Sequence, residues 1–253
     1  MHHQVLPRRL APAVASAIRP VVALPRRLQA AALVLLSSLS IPGQAGRPMI
    51  TDDAGIVDPR ACQLETWTQR GPRARAFWAV PACNFTGKLE LALGAGRSSG
   101  ADDAGSMAVL QGKTLFKAMD TNGWGVGLVF GTQFTRSGER STDRYAFVPL
   151  SHSFHDDRLL VHTNLGWLRE GLQNRHRATW GIGSELRAGE RTWLTTEAFG
   201  QSGSKPSYQL GFRHWIVPER VQVDGTYGRH AMDCGRERQI SIGLKFVTDR
   251  ILP

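Results

Sequence analysis

The sequence predicts an all-β chain: an antiparallel, up-and-down transmembrane β-barrel of about twelve strands behind a secretion signal. Three observations predict it. Apolar residues recur with period two from about residue 60 onward, the connections between these runs alternate in character, and the N-terminus is basic and then apolar. The 253 residues, 42% of them hydrophobic, suffice for one large all-β domain. No run of about 18 apolar residues marks a membrane helix. The 27 glycines suit closely packed strands and a barrel interior with little room for side chains.

Residues 1–45 read as a signal peptide. Arg8, Arg9, Arg19, Arg26 and Arg27 precede the apolar run from Leu28 to Ile41, and no acidic residue occurs before Asp52. Pro42-Gly43-Gln44-Ala45 places small residues for cleavage after Ala45. The Arg26-Arg27 pair raises a twin-arginine route, but its surroundings match that motif poorly. Residues 46–60 follow as a periplasmic lead-in, and 61–253 as the barrel, which places the protein in the outer membrane of a Gram-negative bacterium. Setting the leader aside changes the charge. The whole chain carries 31 basic and 21 acidic side chains; without the leader arginines 26 face 21, a net of +5. No nucleic-acid recognition motif accompanies that excess, so nucleic acid is not an expected partner.

The strands follow in order over about 61–69, 74–83, 86–97, 105–118, 122–134, 142–154, 158–169, 174–188, 191–202, 205–217, 219–229 and 236–247. Leu89, Leu91 and Leu93 alternate with Lys88, Glu90 and Gly94. Trp124, Val126, Leu128 and Phe130 alternate with glycines, and Leu159, Val161, Thr163, Leu165 and Trp167 with His162, Asn164 and Gly166. Val221, Val223 and Tyr227 alternate with polar residues, as do Ile240, Ile242, Leu244 and Phe246. That period belongs to strands with one apolar face. Every second connection is very short: Asn84-Phe85, Asp120-Thr121, His155-Asp156-Asp157, Gly189-Glu190, and Pro218 with its neighbours. Those between are expected to be longer outer loops: 98–104, 135–141, 170–173 and 230–235, with shorter ones at 70–73 and 203–204.

A soluble barrel would alternate too, with its apolar stripe inward. Parity alone does not say which stripe faces out. The polar stripe consists of Gly, Thr, Ser, Asn and Gln with isolated charges rather than dense Lys and Glu, which favours a membrane barrel with that stripe inside. Trp124, Trp167, Tyr227 and Phe246 near strand ends suit interfacial girdles.

A hairpin of the first two strands sets Leu64 against Pro81, Thr66 against Ala79 and Cys62 against Cys83. Cross-strand Cα atoms lie about 4.5–5.5 Å apart, within disulfide range, and an exported chain meets an oxidising compartment. A Cys62–Cys83 disulfide is expected, with Cys234 left unpaired.

Arg47-Pro48-Met49-Ile50-Thr51-Asp52-Asp53-Ala54-Gly55, Ala61-Cys62-Gln63-Leu64-Glu65 and Trp215-Ile216-Val217-Pro218-Glu219-Arg220-Val221-Gln222-Val223-Asp224 resemble bacterial outer-membrane β-barrels of the phenol-degradation MetA-pathway type. The resemblance runs from about residue 47 to the C-terminus. It implies uptake of aromatic compounds and carries over no binding residues. Many outer-membrane barrels end on an aromatic residue read by the barrel assembly machinery; here Val-Thr-Asp-Arg-Ile-Leu-Pro follows Phe246.

The expected inward stripe carries Glu65, Glu90, Lys113, His162, Asn164, Glu185, Glu197, Arg213, Asp224 and Lys245. Such a mixed set either lines a pore or pairs internally to plug a narrow barrel. An enzyme reading, a lipid hydrolase with His162, Asn164 and Ser184, ranks third, and no catalytic residue is assigned. Asp52, Asp53 and Asp58 fit no calcium loop and are expected to cap turns; no metal or cofactor is expected. Gly94-Ala95-Gly96 and Gly123-Trp124-Gly125-Val126-Gly127 do not sit between a strand and a helix, so they make no dinucleotide site. The expected function is a passive channel or uptake component for small molecules, aromatic ones among them. The alternative is a non-conducting structural or interaction barrel with a charge-paired lumen. Outer-membrane lipid, the assembly machinery and an unspecified small solute are the expected partners.

Overall fold

The computed structural model describes residues 47–72, 74–100, 104–137, 139–232 and 235–252; the signal peptide expected over residues 1–45 and Cys234, expected to be unpaired, lie outside them. Twelve strands follow one another: β1 (Cys62–Arg70), β2 (Ala74–Asn84), β3 (Leu89–Gly100), β4 (Gly105–Lys117), β5 (Trp124–Ser137), β6 (Glu139–Phe154), β7 (Leu159–Glu170), β8 (Arg175–Arg187), β9 (Thr192–Gln201), β10 (Ser207–Val217), β11 (Val221–Met232) and β12 (Gly235–Val247). Each pairs antiparallel with its neighbours in sequence, and β1 pairs with β12 from Gln63↔Val247 to Arg70↔Ile240. The sheet is therefore a closed up-and-down barrel, as the alternation predicts, and no strand edge is left open. No helix occurs among the described residues.

The structure settles which stripe faces out. Leu93, Leu165, Leu210 and Ile242 are exposed, Leu165 to 71%, whereas Glu90, Lys113, His162 and Arg213 are buried, His162 completely. Apolar side chains form a belt around the outside and polar ones fill the inside, the reverse of a soluble barrel. Aromatics flank the aliphatic belt. Phe116, Trp124, Phe154 and Phe246 are exposed near the end where β1 starts and β12 stops, called here the terminal end. Phe77, Phe134, Trp167 and Tyr208 are exposed toward the opposite, far end.

The connections depart from expectation. Those at the far end, 71–73, 101–104, 138, 171–174, 202–206 and 233–234, are no longer than the terminal-end turns 85–88, 118–123, 155–158, 188–191 and 218–220. The residues assigned to the outer loops 135–141 and 230–235 are largely strand. Ser137↔Glu139 and Met232↔Gly235 still pair, so the β5–β6 and β11–β12 hairpins run on beyond the apolar belt. Above the belt neither face requires apolar residues, and a polar ladder reads like a loop in sequence.

At the terminal end, turns are locked to one another. His155, Asp156 and Asp157 adopt φ of 54°, 57° and 61°, the left-handed region that Asp tolerates better than most residues. Asn122 Nδ2 donates to Asp156 at 2.7 Å, Thr121 donates to Asp157 at 2.7 Å, and the Ser153 hydroxyl also donates to Asp157. Cys62 and Cys83 are register partners, with Cα atoms 4.1 Å apart, and form a disulfide. It ties the start of β1 to the end of β2.

Because the β1–β12 ladder closes the barrel without help from the disulfide, unboiled protein should migrate faster than boiled protein with or without reductant. The Cys62→Ser/Cys83→Ser double variant should behave likewise; loss of the fast form in that variant would show that closure depends on the bond.

Candidate functional site in the barrel lumen

Residues 47–60 form no regular secondary structure, so their buried amides and carbonyls need partners elsewhere. The inward stripe supplies them. The Glu197 carboxylate accepts the amides of Ile50 at 2.8 Å and Thr51 at 2.7 Å. Asn164 accepts the Asp52 amide at 2.6 Å and donates to the Asp52 carbonyl at 2.8 Å. Ser151 Oγ accepts the Ala54 amide at 2.8 Å, and Glu90 accepts that of Val57 at 2.8 Å. Asn84 donates to the Val57 carbonyl at 2.8 Å, Gln209 to that of Pro48 at 3.1 Å and Gln222 to that of Arg47 at 3.1 Å. These partners come from strands all round the wall, so the segment lies across the lumen. Asp53 also accepts the Gly55 amide at 3.1 Å, a local turn contact of the expected kind.

Charge anchors the segment at two places. Lys113 Nζ lies 2.8 Å from both Asp52 Oδ1 and Asp53 Oδ1. Arg47 pairs with Asp224 at 2.9 Å, donates to Ser241 at 3.2 Å, and lies 4.7 Å over the Trp67 ring. Glycines make room for the segment. A Cβ on Gly181 would stand 2.6 Å from Thr51 Oγ1, and one on Gly183 would stand 2.1 Å from Met49 Cε. Each is a notch in β8 filled by a segment side chain.

All ten residues assigned to the inward stripe lie on it, and all but half-buried Glu65 are buried. Two groups of them touch directly. Glu185 sits between His162 at 3.2 Å and Arg213 at 2.7 Å, and Lys245 lies 3.5 Å from Glu65. Glu90, Lys113, Asn164, Glu197 and Asp224 find partners in the segment instead. Sequence reasoning missed those partners, Arg47, Asp52 and Asp53 above all, because an aperiodic stretch carries no sign of where it packs. Sequence also held a findable signal: the short 155–157 turn sets Ser151 opposite His162, and its Oγ lies 2.7 Å from His162 Nδ1.

Ser184, the serine of the enzyme reading, pairs with Val161 and alternates with inward Gly183 and Glu185. It therefore points away from His162, whose serine neighbour is Ser151, fully buried beneath Ala54. Among the described residues no cluster of His, Cys, Asp and Glu is arranged to hold a metal ion.

Two cavities border Ile50, Tyr145 and Phe147. One, of about 410 Å³, runs along β1 past Gln63, Glu65, Trp67 and Gln69. Its charged lining consists of Arg47, Lys113 and Lys245 against Asp52, Glu65 and Glu90, which cancel. The other, of about 420 Å³, lies toward the far end between Asn164, Leu168, Thr179, Phe199 and Gln201.

A family model described as "Uncharacterised conserved protein UCP029691" matches residues 32–247. The COG4313 outer membrane channel from Pseudomonas putida F1 superposes with a TM-score of 0.57 at 10% identity, over 78% of this chain and 98% of that one. The KdgM porin in complex with disordered oligogalacturonate gives 0.57 at 7% identity, over 73% and 98%. The NanC porin gives 0.55 at 11%, over 73% and 98%. At these identities the likeness is one of fold. No curated protein matches the sequence.

Removing one partner of a buried charge cluster strands the others, at a cost of about 3–5 kcal/mol. Lys113→Met should therefore loosen residues 50–54, read as faster amide hydrogen exchange there than in the strands. Adding Asp52→Asn and Asp53→Asn should restore part of the protection, since no unpaired carboxylate then remains.

Proposed function

The chain belongs to the family of the uncharacterised conserved protein UCP029691, and we propose that it is a bacterial outer-membrane channel for passive uptake of small molecules, aromatic ones among them. The observation that carries this reading is the inverted polarity of the closed barrel: leucines and isoleucines outside, ionisable side chains inside. An outward apolar belt with aromatic flanks matches a bilayer's hydrocarbon core and its two interfaces. The basic and apolar leader directs export, and the disulfide suits the oxidising compartment beyond the inner membrane. The terminal end, where the barrel begins and stops, then faces the periplasm. The far end opens outward.

The lumen supports the solute class. Trp67, Tyr145, Phe147 and Phe199 line the two cavities together with Gln, Asn and Thr. Aromatic faces beside neutral hydrogen-bonding groups suit small, uncharged, planar solutes. The resemblance to barrels of the MetA-pathway type points the same way.

One observation favours a second reading, a non-conducting structural or interaction barrel: segment 47–57 spans the lumen and pairs with Asp224 and Lys113. The channel reading requires that segment to move or to leave a side passage. In planar bilayers the full chain should show small conductance steps, and a chain lacking residues 47–57 should show steps several times larger. Absence of conductance in both would leave the non-conducting barrel.

Membrane insertion has its own test. Leu165→Arg puts a charge midway along the outward face of β7, where a lipid-facing arginine costs about 2–4 kcal/mol. Its urea midpoint in vesicles should fall accordingly; an unchanged midpoint would mean that this face does not meet hydrocarbon.

A further inference from the structure

Segment 47–57 is held mainly by its main chain, and strand side chains, not strand backbone, do the holding. The barrel ladder is already closed, so the segment cannot join it as another strand. Glu197, Asn164, Ser151, Glu90, Asn84, Gln209 and Gln222 reach inward and satisfy the amides and carbonyls described above. Such contacts read the path of the backbone, with its turn at 47–48 and bends at 50, 51 and 54, whatever its side chains. Sequence is read at few points: Arg47 by Asp224 and Trp67, the Asp52–Asp53 pair by Lys113, and Met49 and Thr51 by the notches at Gly183 and Gly181. Ile50, by contrast, is 59% exposed and borders both cavities.

We propose that the lumen is a binding site for a peptide that turns and bends as residues 47–57 do, with those residues of the chain as its resident ligand. Its occupant carries a cationic residue five positions before an acidic pair. The closed ladder maintains the barrel independently of the segment, whereas Lys113, Glu197 and Glu90 lose partners when the segment leaves. The lumen thus keeps a standing complement for a peptide of this pattern. The cavity of about 410 Å³ runs beside Ile50, Gly55, Ile56 and Val57, so the wall does not enclose the segment on that side. The proposal goes beyond the channel reading and holds whether or not the barrel conducts.

The test uses the full chain, refolded, with a site-specific protease sequence inserted after exposed Asp58. Cutting there converts the segment from a tethered part into a free ligand. The probe is a synthetic peptide of residues 47–58 with a dye on its C-terminal end. Expected results are of two kinds. Either the cut barrel keeps its own peptide through gel filtration while the cut Lys113→Met barrel loses it, or the cut barrel releases it and binds the probe saturably, one per barrel. In both cases a probe with Asp52→Asn and Asp53→Asn should bind or compete at least a hundredfold more weakly, and one with Ile50→Ala within about threefold of the parent. A barrel that releases its peptide and takes up no probe overturns the proposal, as does equal binding of the Asn-substituted probe. Bilayer conductance of the same cut protein is read separately, so failure as a channel and failure as a peptide site are told apart.

Discussion

Pairing of β1 with β12 is the contact on which the rest depends. An antiparallel sheet of twelve strands left open would expose two edges; closed, it satisfies its backbone within the wall. Once closed, alternation leaves each side chain one of two environments. The outside takes Leu93, Leu165, Leu210 and Ile242, so every residue of opposite parity is committed to the interior. Charge inside the barrel is thus a consequence of the apolar exterior, not a separate feature.

That commitment creates the lumen's main physical difficulty. Ionised groups packed inside a narrow barrel lose hydration, and a buried charge lacking a partner is costly. The wall meets part of the need itself, through His162–Glu185–Arg213 and Glu65–Lys245. For the rest it uses the chain that precedes β1. Arg47 answers Asp224, the Asp52–Asp53 pair answers Lys113, and segment amides answer Glu90 and Glu197. Strand wall and segment are complementary in charge, and neither is electrically complete alone.

Strand positions were legible because period two survives in a single sequence. β1, β4, β7 and β12 start and stop within about two residues of where alternation places them. The Cys62–Cys83 register followed from the same alternation and a short turn. The facing of the stripes needed the composition of the polar one, since parity is symmetric. Far-end connections were misread because a stretch such as 135–141, Thr-Arg-Ser-Gly-Glu-Arg-Ser, is polar throughout, and pairing there leaves no periodic trace. Segment 47–57 was illegible for a different reason. Many of its contacts join residues more than a hundred positions apart, as in Asp52 with Asn164 and Arg47 with Asp224. Nothing local in Arg-Pro-Met-Ile-Thr-Asp-Asp announces them.

The segment's grip has a physical limit that links its two roles. A buried ion pair about breaks even against its own desolvation, and a neutral hydrogen bond nets about 0.5–1.5 kcal/mol once water is counted. Holding a flexible segment still costs about 1–2 kcal/mol of backbone entropy per residue. Its contacts therefore confer position and selectivity more than surplus stability. The two cavities beside Ile50 leave one side of the segment without wall contacts. In the proposed peptide site the segment holds the lumen as its best available ligand, and a peptide that satisfies Lys113, Glu197 and Asp224 equally well displaces it.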